Sequence, residues 1–359
     1  MKQVVLEQPR RLVLRDVADP VPGPEDVVVE VRAALTCGTD LKSYRRGHPK
    51  FPYPAPFGHE ASGIVVASGS SQSAFHVGDA LMLANSGPCG ACFWCRNDEE
   101  NLCLTLTGEL LVGAYAEYLL VPARVLRRNA FVKPESMPFE TAALLEPLSS
   151  VCFGLTRIPT RKVRGAATVL LIGSGPIAML WLRALQAAGA ERVIVAGKRP
   201  ARLQTARSMG AIETISLAPG DDEALLSMIA DATDGRGCDA VVECTGQTEV
   251  WESAPRYARR GASVVLFGGC AAGTTVSFDT MRLHYDGIEL TSPFHFRPRD
   301  VAEARRLLSR DDLDWSPLVS GRVGLAEVPE LFARLGDRGE MKIAVIPEHG
   351  AAATSGTGA

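Results

Sequence analysis

The pattern of apolar and polar residues changes near the middle of the chain. Up to about residue 150, the apolar residues form short runs that are broken by glycine and proline, which is typical of β-strands joined by turns. The runs are VVLEQ, LVLRDV, DVVVEVRAAL, ASGIVVASG, GDALML and AEYLLVP. This part of the chain is predicted to form a mostly antiparallel, partly closed β-domain.

From Thr168 onward, apolar strands alternate with helical stretches. TVLLIG precedes PIAMLWLRALQAAGA, RVIVAG precedes PARLQTARSMG, and the apolar runs CDAVVECTG and ASVVLFGG follow. Such alternation predicts βαβ units and an α/β fold with a doubly wound parallel sheet. After about residue 291, a helix (VAEARRLLSR) and a strand (MKIAVIP) are predicted that need not belong to this sheet. Residues 348–359 are rich in Gly, Ala, Ser and Thr and are predicted to be a disordered tail.

Length and charge narrow the class of protein. A chain of 359 residues suits two domains that share an interface. The net charge of -3 leaves no basic surplus for binding nucleic acid. The N-terminus lacks the apolar core of a signal peptide, and the longest apolar stretch, 169–182, is interrupted by glycine and proline and too short to span a bilayer. We expect a cytoplasmic protein with a small-molecule partner and no contact with a membrane.

Four of the nine cysteines lie close together in a C-x2-C-x2-C-x7-C pattern. They are Cys89, Cys92, Cys95 and Cys103. Four thiolates on one tight loop can surround a tetrahedral Zn²⁺ and leave no position for substrate, so a structural zinc site is predicted. Free or disulfide-bonded cysteines are an alternative. A zinc ribbon for nucleic acid is another, although the acidic segment 97–100 that follows would repel phosphate.

A second group of residues suggests a catalytic metal site. Cys37 stands in CGTD, His59 and Glu60 stand in GHE, and Glu146 stands in LEPL. A thiolate, an imidazole and a carboxylate, here Cys37, His59 and Glu146, leave the fourth tetrahedral position open, as Lewis-acid chemistry requires. Two zinc ions per chain are therefore expected, one catalytic and one structural.

A glycine-rich turn follows the predicted strand TVLLI and opens a helix. Gly173, Gly175 and Ala178 form a G-x-G-x-x-A fingerprint, with Pro176 and Ile177 at the start of the helix. The first glycine permits the tight turn, the second lets the backbone approach a pyrophosphate, and the helix N-terminus faces the phosphates. A dinucleotide site is predicted here.

Taken together, these motifs resemble the zinc-containing medium-chain alcohol dehydrogenase superfamily, in particular its sorbitol, threonine and polyol dehydrogenase branch. The resemblance covers roughly residues 1–346. It implies a GroES-like, partly closed β-barrel catalytic domain formed by residues 1–152 and 293–347, and a Rossmann domain that binds NAD(P), formed by residues 153–292.

The resemblance also implies roles for individual residues. Cys37 and His59 match catalytic zinc ligands, and Glu146 matches the third ligand, bound directly or through water. Glu60 is expected to support the ligands or to exchange with one of them. Thr39 matches the hydroxyl that passes the substrate proton toward solvent, with Asp40 behind it. Many relatives carry a histidine at the outer end of this proton relay, whereas this chain has Lys42 there, and His48 lies nearby in sequence.

The residue that selects the cofactor also departs from the family pattern. NAD-selective relatives place an acidic residue against the ribose 2′-hydroxyl, and Gly197 takes its place here, followed by Lys198 and Arg199. Two cations without the acid suit a 2′-phosphate, so NADP(H) is predicted to be preferred over NAD(H). The alternative is a solvated basic loop in an enzyme that tolerates NAD(H).

Other residues are placed near the ligands by the same resemblance. The cofactor is expected to contact residues at the ends of later strands, and Lys342 near the end of the chain. The strand-end residues are Cys244, Thr245, Phe267 and Gly268. A substrate pocket is expected from the aromatic residues Tyr44, Phe51, Phe57, Tyr115 and Phe294, with a place in the core as the alternative for some of them. Residues 264–278 could supply an edge strand to a homodimer or homotetramer.

The predicted function is zinc-dependent hydride transfer between NADP(H) and a secondary alcohol or ketone, with a polyol, cyclitol or sugar-derived substrate. Two alternatives remain at this point. A zinc-independent quinone or enone reductase of the same fold would lack the ligand set. A zinc-binding protein without catalytic activity would leave the open site unexplained.

Overall fold

The structure is a computed structural model that describes residues 1–47, 53–69, 74–218, 222–336 and 339–348. His48, Phe51 and the predicted tail beyond residue 348 lie outside the described residues. The first 155 residues contain eight strands and five helices within the described ranges. The strands are β1 (Lys2–Gln8), β2 (Arg11–Asp16), β3 (Val27–Leu35), β4 (Ala55–Pro56), β5 (Glu60–Ser68), β6 (Ala80–Leu83), β7 (Tyr118–Val121) and β8 (Ala130–Val132). The helices are α1 (Gly38–Arg46), α2 (Phe93–Arg96), α3 (Ala123–Asn129), α4 (Phe139–Ala143) and α5 (Leu145–Leu155).

The remainder of the chain alternates strands and helices before a mixed C-terminal segment. Its strands are β9 (Gly165–Ile172), β10 (Ala190–Gly197), β11 (Glu213–Ser216), β12 (Cys238–Glu243), β13 (Ala258–Leu266), β14 (Glu289–Thr291), β15 (Val319–Val323) and β16 (Lys342–Val345). Its helices are α6 (Pro176–Ala187), α7 (Pro200–Ser208), α8 (Asp222–Ala232), α9 (Thr248–Ser253), α10 (Thr280–His284), α11 (Pro298–Leu308) and α12 (Val328–Arg334).

The β-rich part forms two sheets. One has three strands in the order β2-β1-β4, and the other runs β15-β16-β3-β5-β6-β8 with β7 also paired to β3. All pairs are antiparallel except β15 with β16. The predicted mostly antiparallel β-domain is confirmed. The C-terminal strand β16 joins this sheet rather than the parallel one, because it pairs with β3.

Strand β3 organises one end of this sheet. Seven of its nine residues are buried, since β5, β7 and β16 all pair with it. Leu35 lies opposite Glu60 of β5 and Ala344 of β16. This register brings the segment after β3, the segment before β5 and the start of β16 to one place, although they are far apart along the chain.

Six parallel strands form the other large sheet, in the order β11-β10-β9-β12-β13-β14. The last six residues of β9 are all buried, as expected for a central strand covered on both faces. The strand order reverses between β9 and β12, so their carboxyl ends flank the crevice where ligands of such sheets bind. The predicted doubly wound sheet is confirmed. The expected edge strand within 264–278 is not present in the sheet, because β13 is an interior strand and β14 forms the edge.

Helix α5 connects the two parts through a shared core. Its buried side chains pack with those of α6 and α11 and with the face of β9 in one continuous apolar cluster. Pro176 presets the backbone at the start of α6, and the residues of α6 that face this cluster include Trp181, which is fully buried. Glu146 lies in the first turn of α5 and is buried.

Candidate active site

The four clustered cysteines converge on one point. Their sulfur atoms all lie within 4.8 Å of one another, and none of the nine cysteines forms a disulfide. The Cys92 and Cys95 sulfurs are 3.5 Å apart, and Cys89 Sγ accepts hydrogen bonds from the backbone N–H groups of Ala91 and Cys92 at 3.4 Å. Backbone N–H groups lower the pKa of Cys92 to about 6, which favours its thiolate form. This donor set fits a tetrahedral zinc ion.

Two glycines permit the turn that carries these cysteines. Gly90 has a φ of 74°, in the left-handed region that glycine adopts without strain. Gly87 packs so closely on the backbone of Arg124 that a β-carbon there would collide with its carbonyl. Glycine is thus required for a conformational reason at Gly90 and for a packing reason at Gly87.

The second metal-ligating group lies at the ends of β3 and β5. Three residues, Cys37, His59 and Glu60, each contribute one potential ligand atom, and these three atoms lie within 4.8 Å of one another. Cys37 caps helix α1, and its sulfur accepts a hydrogen bond from Thr39 N at 3.4 Å. The antiparallel pairing of β3 with β5 brings these motifs together, as the adjacent pair Leu35 and Glu60 shows.

Asp40 holds the imidazole of His59. Its Oδ1 lies 2.8 Å from His59 Nδ1, and its Oδ2 accepts a hydrogen bond from the hydroxyl of Tyr115 at 2.9 Å. Burial lowers the pKa of His59, but the charges of Asp40 and Cys37 outweigh it and raise the pKa well above its usual value. An imidazole that donates Nδ1–H to a carboxylate keeps Nε2 for a metal. Asp40 thus contacts His59 on one side and Tyr115 on the other, and its supporting role for a metal ligand stays a prediction.

Glu60 and Lys342 form a buried ion pair beside this cluster. The ammonium nitrogen of Lys342 lies 2.7 and 2.6 Å from the two carboxylate oxygens of Glu60, and it also donates to the carbonyl oxygen of Thr36 at 3.1 Å. Lys342 is predicted from the sequence to contact the cofactor; the structure shows its ammonium bound to Glu60 and Thr36, and the cofactor contact stays a prediction. Its three N–H donors are directed to Glu60 and Thr36, because β16 pairs with β3 next to the start of β5.

Glu146 lies outside the compact ligand set. Its carboxyl group is buried and experiences the charges of His59, Glu60, Lys342 and Asp40, while burial raises its pKa to about 7. The expected trio of Cys37, His59 and Glu146 therefore differs from the trio that the structure brings together, in which Glu60 takes the third place. The reason is that Glu60 directly follows His59 into β5, whereas Glu146 belongs to helix α5.

A cleft opens beside this cluster. Thr39 and His59 line it, and so do Phe57 and Asn85. Lys42, one turn along α1 from Thr39, donates a hydrogen bond from Nζ to the carbonyl oxygen of Gly269 at 2.9 Å. This contact links α1 to the loop after β13, so the outer relay position is held by a lysine that bridges to the parallel sheet.

Most of the aromatic residues expected in the pocket are core residues instead. Tyr44, Phe57 and Tyr115 pack edge-on or tilted against Phe332, with ring centroids 5.2–5.9 Å apart. All three are buried, and of these only Phe57 also lines the cleft. Phe294 is 53% exposed. The expectation of an aromatic pocket is therefore corrected for Tyr44 and Tyr115, whose rings fill the β-domain.

The glycine-rich turn has the geometry of a dinucleotide loop. Gly173 has a φ of 118°, and its N–H donates to Ala196 O at 2.7 Å. A β-carbon on Gly173 would lie 3.3 Å from that of Cys244, at the end of the neighbouring strand β12. Gly175 caps α6, with Pro176 and Ile177 in its first turn, and all three are half-buried. The N-terminus of a twelve-residue helix therefore opens toward the crevice.

Gly197 ends β10 beside this turn. A β-carbon at Gly197 would collide with the side chain of Ser174, so the position is closed to a larger residue unless Ser174 moves. Lys198 and Arg199 follow it and are exposed. Arg202, one helical turn after Arg199, also lies near the turn, with Nη1 3.8 Å from the place a β-carbon of Gly175 would occupy. Its Nε and Nη2 donate to the carbonyl oxygen of Glu340.

The expected residues at the ends of β12 and β13 are tied together by Glu243. This buried carboxylate accepts hydrogen bonds from the N–H and the hydroxyl of Thr245 at 2.5 Å each, and from the N–H groups of Gly246 at 2.9 Å and Gly268 at 3.2 Å. Phe267 packs edge-on against Trp181, with ring centroids 5.5 Å apart. The two loops thus form one rigid wall of the crevice opposite Gly173.

Two protein-family models match this chain. Residues 23–129 match the family model described as the alcohol dehydrogenase GroES-like domain, and residues 176–310 match the model described as zinc-binding dehydrogenase. The sorbitol dehydrogenase of Bacillus subtilis is 31% identical over 274 residues, which is 75% of each chain. The chain belongs to the zinc-binding alcohol dehydrogenase family. It is an oxidoreductase with a GroES-like and a Rossmann-type part.

Other members of the zinc-binding alcohol dehydrogenase family are similar over nearly the whole chain. The L-threonine 3-dehydrogenase of Bacillus subtilis is 29% identical over 356 residues, covering 93% of this chain and 95% of its own. A solved structure from Sinorhizobium meliloti 1021, described as a zinc-binding dehydrogenase bound to NADP, superposes with a TM-score of 0.87 at 30% identity, over 96% of this chain and 99% of that one. No helix within the described ranges is long and apolar enough to cross a membrane.

Proposed function

We propose that this dehydrogenase transfers a hydride between NADP(H) and a secondary alcohol or its ketone, with a polyol, cyclitol or sugar-derived substrate. The observation that supports the proposal is the convergence of Cys37, His59 and Glu60 within 4.8 Å at a cleft lined by Thr39. A zinc-independent reductase would have no need of this ligand set, and a zinc protein without activity would have no need of the cleft.

Two zinc ions per chain suit the two donor sets. The four cysteines 89, 92, 95 and 103 would hold a structural ion because all four positions are filled by protein. Cys37 and His59 would hold the catalytic ion, with Glu60 or Glu146 as the third ligand and one position left for substrate. Zinc in that position supplies Lewis-acid polarisation of the alcohol oxygen.

The chain's own residues then orient and neutralise the site. Asp40 fixes the tautomer and direction of His59 through the contact with Nδ1. Lys342 balances the charge of Glu60, and both side chains are buried. The hydroxyl of Thr39 is the proposed first carrier of the substrate proton, since it lies in the cleft with His59.

The proposed preference for NADP(H) rests on charge at the end of β10. Gly197 offers no carboxylate to repel a 2′-phosphate, while Lys198 and Arg199 are exposed beside it. Gly173, Gly175, Pro176 and Ile177 would cradle the pyrophosphate. Cys244, Thr245, Phe267 and Gly268 form the facing wall.

The division into domains and the assembly state are part of the same proposal. We assign residues 1–152 and 293–347 to the catalytic domain and residues 153–292 to the cofactor domain, because the parallel sheet contains only strands from 165–291. A homodimer or homotetramer is expected, and sedimentation equilibrium would measure which one forms.

The test combines metal analysis with steady-state kinetics. Elemental analysis of the full chain should find about two zinc ions per chain. A panel of polyols and ketones, monitored at the nicotinamide absorbance, should show turnover that is lost in Cys37→Ser and retained in Cys238→Ala, a buried cysteine with no metal-ligand neighbours. Turnover by zinc-free enzyme would contradict the proposal.

A further inference from the structure

One wall of the cleft carries an asparagine that the family motifs do not account for. Asn85 follows β6, is 6% exposed, and lines the cleft together with Thr39 and His59. Its Oδ1 is fully buried and has no hydrogen-bond partner, and its Nδ2 forms no hydrogen bond within the described residues. A buried amide without partners costs about 1–3 kcal/mol, so its retention in the cleft calls for an occupant that pairs with it.

The position of Asn85 is held rigidly. Its carbonyl oxygen accepts a hydrogen bond from Leu111 N at 2.7 Å. The next residue, Ser86, accepts a hydrogen bond on its carbonyl from Asn129 Nδ2 at 2.7 Å and contacts His295 Nε2 through its hydroxyl at 2.7 Å. The amide of Asn85 is therefore presented by a fixed backbone.

The wall around Asn85 carries no unpaired charge among the described residues. Burial, assisted by the nearby charge of His59, lowers the pKa of His295 to about 3, so this imidazole is uncharged at neutral pH. Among the cleft-lining residues that the structure describes, the carboxylate of Asp40 is already paired with His59 and Tyr115, and none is Lys, Arg or Glu. The other lining residues include the apolar Leu6, Leu110 and Val112.

We infer that Asn85 is a specificity-determining residue that hydrogen-bonds a second hydroxyl of the substrate, next to the reacting carbinol, and that the cleft takes a neutral vicinal diol. This inference rests on the proposed function and narrows its substrate class. A hydroxyl both donates and accepts, as does the unpaired amide of Asn85. An amino acid substrate such as L-threonine would bring an ammonium and a carboxylate into a wall that offers no counter-charge among its described residues.

The test compares matched substrates on the zinc-loaded full chain. Butane-2,3-diol and butan-2-ol differ by one hydroxyl, and L-threonine is the charged comparator. The wild-type enzyme should show the highest kcat/KM for the diol and the lowest for L-threonine. Asn85→Leu keeps the branched shape without hydrogen-bonding groups, and it should lower the ratio of kcat/KM for the diol to that for the mono-alcohol about tenfold.

Thermal unfolding separates this role from a structural one. Asn85→Leu removes an unpaired buried amide and should leave Tm unchanged or raised. Asn129→Leu is the control, because Asn129 is also buried, at 1% exposure against 6%, and does not line the cleft. Its Oδ1 likewise has no partner, but its Nδ2 donates a hydrogen bond to Ser86. This variant should lower Tm and keep the substrate ratio.

Three outcomes would overturn the inference. An unchanged substrate ratio in Asn85→Leu, or a drop in Tm with equal losses on both alcohols, gives Asn85 a structural role only. L-threonine as the preferred substrate would exclude the neutral diol while leaving the dehydrogenase proposal intact. A wild-type enzyme with two zinc ions that turns over members of the polyol and ketone panel but not butane-2,3-diol would overturn the diol inference alone, whereas no turnover on that whole panel would defeat the proposed function as well.

Discussion

The ammonium of Lys342 lies 2.7 and 2.6 Å from the two carboxylate oxygens of Glu60, although the residues are 282 positions apart. Both side chains are buried, with exposures of 2% and 0%. Each charge depends on the other, because an isolated ion in this environment would lose its hydration without compensation.

Removing one partner of this pair should destabilise the protein strongly. Lys342→Met leaves Glu60 as an uncompensated buried charge, and we expect a loss of about 3 kcal/mol in the free energy of unfolding. Urea denaturation of the zinc-loaded enzyme measures this quantity. The double variant with Glu60→Gln should recover part of the loss, and strictly additive losses would show that the two groups are not coupled.

Asp40 is expected to act on metal affinity through His59. Asp40→Asn keeps the shape of the side chain but removes the charge that orients and polarises the imidazole, so affinity for the catalytic zinc should fall about 10- to 100-fold. Competition with a chelator, followed by elemental analysis, measures the affinity of each site. Asp314→Asn, at a distant turn where the carboxylate accepts from Ser316 N, is the control and should change neither site. Equal zinc affinity in Asp40→Asn and wild type would refute the assignment.

The four-cysteine lobe should depend on its own metal. Cys103→Ser removes a buried sulfur from the cluster, and we expect zinc content to fall from about two ions per chain to about one. Limited proteolysis should then cleave within residues 89–108, while the parallel sheet stays protected. Cys152→Ala, which alters a buried cysteine outside both clusters, should retain both ions. Retention of both ions in Cys103→Ser would argue against a structural zinc.

The preference for NADP over NAD should weaken when a negative charge is introduced at position 197. Asp at this position restores repulsion of the 2′-phosphate, but its β-carbon collides with Ser174. The double variant Gly197→Asp with Ser174→Gly should therefore shift the ratio of kcat/KM for NADP to NAD at least about tenfold toward NAD. Ser174→Gly alone is the control for the turn. A wild-type enzyme that uses NAD as well as NADP would already contradict the interpretation of Gly197.

Most of the fold and much of the candidate site could be predicted from local sequence motifs. The G-x-G-x-x-A turn could be placed from sequence because its requirements are local: a strand before it, a helix after it and glycine at Gly173, where φ is 118°. The clustered cysteines are likewise encoded by spacing alone. Cys37 and His59 could be paired only through the family resemblance, since the antiparallel register that joins them is not visible in either motif.

Contacts that depend on long-range pairing could not be predicted from the sequence. The ion pair of Lys342 with Glu60 is one of them, because it depends on the pairing of β16 with β3. Tyr115 was given to the substrate pocket, yet its ring lies in the core and its hydroxyl supports Asp40. No pattern in the sequence points to Asn85. What distinguishes it is a buried amide oxygen without a hydrogen-bond partner at the wall of the cleft, and only the folded structure shows this.

The pairing of β16 with β3 also determines when the candidate site can be completed during synthesis of the chain. The proposed ligands Cys37 and His59 emerge early, but the lysine that neutralises Glu60 belongs to the last strand of the described chain. A nascent chain therefore carries Cys37, His59 and Glu60 long before the cluster has its full set of charges. A protein truncated before Lys342 would bury Glu60 without its counter-ion.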